Sequence, residues 1–177
     1  MIDAEAYGRA LFELAAEDGR DAPIGDDLEI VRSLLAEQPS YAALMDTPAV
    51  PAAEKLELLH SAFAEADPLV LNFLSILCEK RSMHCFADCA AAYRKSYDEA
   101  HGLLRATAVT AVPLREDQAA ALKNKLAAIS GKTVVLENRV DPAIISGVVL
   151  RCGNIQLDDS MKNRLDTLRR SLRETIV

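Results

Sequence analysis

Glu99-Ala-His-Gly-Leu-Leu-Arg-Ala-Thr-Ala-Val-Thr-Ala-Val112 is the stretch in which the chain changes its period. Before Gly102, apolar residues recur three and four apart, which gives a helix one apolar face. From Leu104 they alternate and are rich in β-branched side chains, which suits a strand. Glycine at the junction fits the left-handed residue that closes a helix. The switch predicts two domains, residues 1–104 and 105–177. The fold class expected is mainly α, an N-terminal six-helix bundle followed by a small α+β C-terminal domain.

Upstream of the switch, helical spacing repeats between short Pro, Gly and Asp breaks. A first helix is expected from an Asp3 cap to Gly19, with Tyr7, Ala10, Leu11 and Leu14 on one stripe and Phe12, Ala15 and Ala16 beside it. A second runs from Asp26 to Gln38 with Leu28, Val31, Leu34 and Leu35 inward, and a short third spans Tyr41 to Met45. Pro51 suits the first turn of a fourth helix ending at Phe63. Asp67-Pro68 is a cap followed by a first-turn proline. The fifth helix that follows carries Leu69, Val70, Leu71, Phe73, Leu74, Ile76 and Leu77 around almost its whole circumference, more than one neighbour can cover. A sixth extends from Met83 to His101.

Downstream, Leu104–Val112 is a strand and residues 115–130 a helix with Ala121, Leu122, Leu126 and Ile129 inward, closed by Gly131. Thr133–Val140 is a second strand, and Ser146–Arg151 with Asn154–Leu157 forms a hairpin about Gly153-Asn154. Ser160 caps a last helix whose stripe of Met161, Leu165, Leu168, Leu172 and Ile176 is flanked by Lys162, Arg164, Arg169, Arg170 and Arg173.

Charge divides as the period does. Residues 1–105 hold 9 basic against 19 acidic side chains, a formal −10, and residues 106–177 hold 11 against 8, a formal +3. An acidic first half and a weakly basic second half predict no nucleic-acid partner. The apolar run Pro68–Cys78 is far shorter than the roughly 20 residues that span a bilayer. The acidic start, Met1-Ile-Asp-Ala-Glu5, lacks the basic segment of a signal peptide. Cys78, Cys85, Cys89 and Cys152 lie in apolar or helical surroundings, so free thiols are expected.

No phosphate loop, nucleophile elbow, zinc-protease helix or dinucleotide fingerprint occurs. His84, Cys85 and Cys89 are close in sequence, but no second cluster completes four metal ligands. His84 has no evident acid partner, and His60 and His101 fall at helix ends, where a cation is favoured. Asp158-Asp159 precedes the Ser160 cap and reads as a helix start. No catalytic, cofactor-binding or metal site and no small-molecule substrate is expected. These residues alone fit a binding module, including a cytosolic helical adaptor or regulator that takes an unrelated amphipathic helix.

Three blocks narrow that reading: Ala6-Tyr-Gly-Arg-Ala-Leu-Phe-Glu-Leu-Ala15; Pro48–Lys80 with Glu54-Lys-Leu and Leu71-Asn-Phe-Leu-Ser-Ile-Leu77; and Thr110-Ala-Val-Pro-Leu114, Val140-Asp-Pro142 and Ser146-Gly-Val-Val-Leu-Arg151 through Asp158-Asp-Ser160 to Arg164-Leu165. Together they resemble the delta subunit family of F-type ATP synthases, whose mitochondrial member is the oligomycin-sensitivity-conferring protein. The chain departs from the family pattern at Gly8, usually alanine; at Arg115, usually Thr or Ser; and at Ser146 and Asp159, usually glycine.

The resemblance implies a non-catalytic stator subunit without cofactors, peripheral on the cytoplasmic side of the bacterial plasma (inner) membrane and held there indirectly through the membrane sector. Its N-terminal domain would grip alpha-subunit N-termini, on Tyr7, Ala10, Leu11, Leu14, Asn72, Phe73, Ile76 and Lys80. Its C-terminal domain would hold the C-terminal region of subunit b, on Lys162, Arg164, Leu165, Leu168, Arg169 and Leu172.

Overall fold

A computed structural model describes residues 2–144 and 147–152, and the backbone of 155–158. The chain divides into two compact units, Met1–Glu99 and Ala100–Val177. The expected helix from Ser160, with the six candidate stalk residues from Lys162 to Leu172, lies outside the described residues, as do Ser146, Gly153, Asn154 and Asp159.

The first unit is helical: α1 (Ala4–Glu17), α2 (Asp21–Glu37), α3 (Pro39–Asp46), α4 (Ala52–Ala62), α5 (Pro68–Glu79), a 3-10 turn (Met83–Cys85) and α6 (Phe86–Ala100). Its core draws on every helix: Leu11 and Ala15, Ile24, Leu28 and Val31, Met45, Leu59, Val70, Leu74 and Leu77, Phe86 and Tyr93. Phe12 stands edge-on to Tyr93 at 5.7 Å between ring centres, a favoured aromatic geometry. Two polar groups tie the loops in. Buried Lys55 donates to the Met45 carbonyl at 2.7 Å and to that of Thr47, satisfying groups that α3 leaves open at its C-terminus. Asp46 accepts the backbone N–H of Met83 at 2.7 Å and of His84 at 3.1 Å.

Helix α2 starts at Asp21, not Asp26, because Pro23 falls in its first turn, where the ring costs no hydrogen bond. Leu34 is 46% exposed rather than inward, at the edge of a shallow depression shared with Tyr41 and Phe63. Helix α3 begins at Pro39, which serves as its first residue. The sixth helix is interrupted: Met83–Cys85 is a 3-10 turn held by Asp46, and the α-helix starts only at Phe86. His84 does have an acid partner, with its Nδ1 2.6 Å from Asp46 Oδ2.

The second unit contains a four-stranded sheet of order β2-β1-β3-β4, with β1 Leu103–Thr110, β2 Thr133–Val140, β3 Val148–Cys152 and β4 Ile155–Asp158. Strands β1 and β2 pair in parallel from Leu103 opposite Thr133 to Thr110 opposite Val140. Parallel pairing requires a crossover, which α7 (Glu116–Ser130) supplies. Strand β3 pairs antiparallel with both β1 and β4. The core is Ala106, Ala108, Val134 and Leu150 beneath Leu122, Leu126 and Ala127 of α7. Ala127, not Ile129, takes the last inward position of α7. Ala121 is exposed, and Ile129 is 83% exposed. Strand β1 stops at Thr110, whose hydroxyl donates to the Val112 carbonyl and turns the chain away.

Candidate partner-binding groove

Two helices of the first unit present apolar residues that the core does not absorb. Helix α1 is started by Asp3, whose Oδ1 accepts the N–H of Glu5 at 3.1 Å and of Ala6 at 3.2 Å. Gly8, Leu11 and Ala15 are its buried positions. A Cβ on Gly8 would sit 2.3 Å from the Cys89 carbonyl oxygen and 2.6 Å from the Ala92 Cβ, so α1 lies closer to α6 than any side chain there would allow. With that face spent on α6, Tyr7, Ala10 and Leu14 point elsewhere. Helix α5 is started by Asp67, whose Oδ1 accepts the Leu69 N–H at 2.8 Å. It buries Val70, Phe73, Leu74, Leu77 and Cys78.

Between them lies a groove of about 400 Å³, lined by Ala6, Tyr7, Ala10, Leu11 and Leu14 from α1 and by Leu69, Asn72, Phe73 and Ile76 from α5. Leu11 and Phe73, 4% and 6% exposed, form its floor, while Leu14 and Ile76, 52% and 43% exposed, form its lips. Only Tyr7 and Asn72 bring polar side chains to the lining. The geometry therefore gathers Tyr7, Ala10, Leu11, Leu14, Asn72, Phe73 and Ile76 into one concave surface. Lys80 is exposed at the C-cap of α5 and does not line it. Ala6 and Leu69 also line it and were not among the groove residues expected from the sequence. Each is one turn from a residue that was found, Ala6 before Ala10 and Leu69 before Phe73, and the i, i+4 rule was the available signal.

The lining carries no His, Cys, Asp, Glu, Lys or Arg side chain. Among the described residues no group of three or more His, Cys, Asp or Glu side chains is placed to bind a metal. The thiols of Cys78 and Cys89 are buried and free. Burial, followed by the neighbouring Cys85, pushes the Cys89 thiol up to about 11, and burial also raises Cys78. Tyr93 is raised mainly by burial, and its hydroxyl donates to the Asp21 carbonyl at 2.7 Å. Near neutral pH these groups are uncharged and belong to the packed interior of the bundle.

Comparison with known proteins identifies the family of the chain as a whole. Residues 4–172 match the profile described as "ATP synthase delta (OSCP) subunit". The chain belongs to that family. The ATP synthase subunit delta of Solidesulfovibrio magneticus is 38% identical to it over 97% of this chain and 96% of the relative. That of Moorella thermoacetica is 36% identical over 93% of each. A chain in the mitochondrial ATP synthase hexamer of Toxoplasma gondii superposes with a TM-score of 0.73 at 26% identity, covering 97% of this delta-family chain and 98% of that one. Among the described residues no helix is long and apolar enough to cross a membrane.

Proposed function

We propose that this delta-family chain is a non-catalytic stator link of an F-type ATP synthase, joining the catalytic head to the peripheral stalk. The α1/α5 groove takes an amphipathic helix from the N-terminus of an alpha subunit, and the second unit holds the C-terminal region of subunit b. The protein is then peripheral, kept at the cytoplasmic side of the bacterial inner membrane through the membrane sector.

The observation that carries this reading is the groove itself. A concave apolar surface between two helices, open at its lips and floored by an aromatic ring, accepts a third helix through its apolar stripe. A link in series with a rotary motor must dissociate slowly. Buried aromatic and aliphatic contacts supply that, whereas rim charges chiefly adjust association rates.

Ile76→Asp and Leu14→Asp test it. Both side chains are more than two-fifths exposed, so the bundle tolerates the change, whereas a helix seated in the groove would bury the new charge. Circular dichroism is expected to stay native while calorimetric affinity for an alpha N-terminal peptide falls about tenfold or more. Native folds with unchanged affinity in both variants would refute the assignment. Pull-down from native membranes should also recover the alpha, beta and b subunits.

A further inference from the structure

The spacing of the groove walls is set partly from behind, because α2 packs against both α1 and α5. At the Leu14–Leu69 end it is also set by a polar junction. After α1 ends, the Arg20 N–H returns to the Ala15 carbonyl at 2.9 Å and fixes the turn. The Arg20 guanidinium then donates to Asp18 Oδ2 at 2.8 Å and to Asp67 Oδ2 at 2.6 Å. Asp67 is the residue that starts α5: its Oδ1 caps Leu69, and its own N–H donates to Asp27 Oδ2 of α2 at 2.8 Å. Its side chain is only 17% exposed. One carboxylate thus holds the first turn of one wall and the guanidinium that closes off the other.

We propose that Arg20 is a positioning residue for the groove: by bridging Asp18 and Asp67 it fixes the separation of α1 and α5 at the Leu14–Leu69 end and sets the affinity for the helix that enters. This rests on the reading of the groove as a helix site. Arginine suits the task because its planar fork donates to two carboxylates at once, whereas a lysine offers a single point charge. An exposed ion pair adds little to global stability. Its effect on binding is of a different kind, since a wall free to shift leaves only a fraction of molecules at the receptive width, and apparent affinity falls by that fraction.

The test uses the full chain in four variants: Arg20→Gln, Arg20→Lys, Asp67→Asn and the Gln/Asn double. Asparagine keeps the helix cap while removing the charge. Affinity for a synthetic alpha N-terminal peptide is titrated, and the wall separation is read without peptide by electron–electron resonance between nitroxides at positions 13 and 68, in a background with the native cysteines replaced. Each Gln or Asn variant is expected to bind about threefold more weakly, with the double no weaker than either single, as for one shared interaction. Arg20→Lys should recover part of the loss, and the distance distribution should broaden in Arg20→Gln. Unchanged affinity and unchanged distances in Arg20→Gln would overturn the proposal, as would additive losses in the double variant or a loss of affinity without any change in distance. Should the parent chain bind no peptide while Arg20→Gln still broadens the distances, the helix-site reading fails and control of the aperture stands.

Discussion

Gly8 shows how one side chain sets a helix contact. Alanine at this position would gain about 1 kcal/mol of helix propensity. In this chain its Cβ would meet the backbone carbonyl of Cys89 at 2.3 Å, an atom that cannot swing aside. Overpacking of that kind costs about 1–3 kcal/mol, so Gly8→Ala is expected to lower the urea midpoint despite the better propensity. Cys89, on the facing helix, gives a pH prediction. Its folded value of about 11 lies above the unfolded 9.0, so the folded chain holds the proton more tightly. Its contribution is complete below the unfolded value and is lost as pH rises through the folded one. Urea midpoints measured from about pH 8 to 11 should fall more steeply for the parent chain than for Cys89→Ala. Tyr93, raised in the same direction, is present in both and cancels.

At the scale of the element, the start of α7 is the informative case. Arg115 stands at the cap but has no acceptor to offer the helix. Its own N–H donates to Gln118 Oε1 at 3.2 Å, which is half of a capping box, and its guanidinium pairs with Asp117 at 2.9 Å on the surface. The helix still begins at Glu116, so the missing cap neither delays nor dissolves it. A serine cap contributes about 1 kcal/mol, and an exposed ion pair about 0–1 kcal/mol. Arg115→Ser should therefore raise thermal stability slightly, by up to about 1 kcal/mol, as read by calorimetry. A lowered melting temperature would show that the Arg115–Asp117 pair outweighs a cap.

For the whole molecule, the prediction is a division of labour. Residues 1–104, acidic yet grooved, are expected to bind an alpha N-terminal peptide with an affinity that persists in high salt. Residues 105–177, formally +3, are expected to bind a subunit b C-terminal peptide with an association rate that falls as salt rises. Crossed preferences of the separate fragments would refute it, and equal salt sensitivity would remove the electrostatic half. Among the described residues, the sequence by itself determined the order of helical and sheet-forming stretches, the Asp3 and Asp67 caps, and most of one groove wall. Period, caps and proline positions are local, and each is set by neighbours within four residues. Only the tertiary structure decided which apolar residues are core. Leu14 and Leu11 read alike in sequence, yet one is a lip and the other a floor, because Gly8 lets α6 take the adjacent face of α1. The same holds for Leu34, for Ile129 and for Asp46 reaching His84 across 38 residues. Nor could spacing show that Arg20 and Asp67, 47 residues apart, close one end of the groove. Such contacts depend on where whole helices come to rest, and that is settled by packing the entire bundle at once.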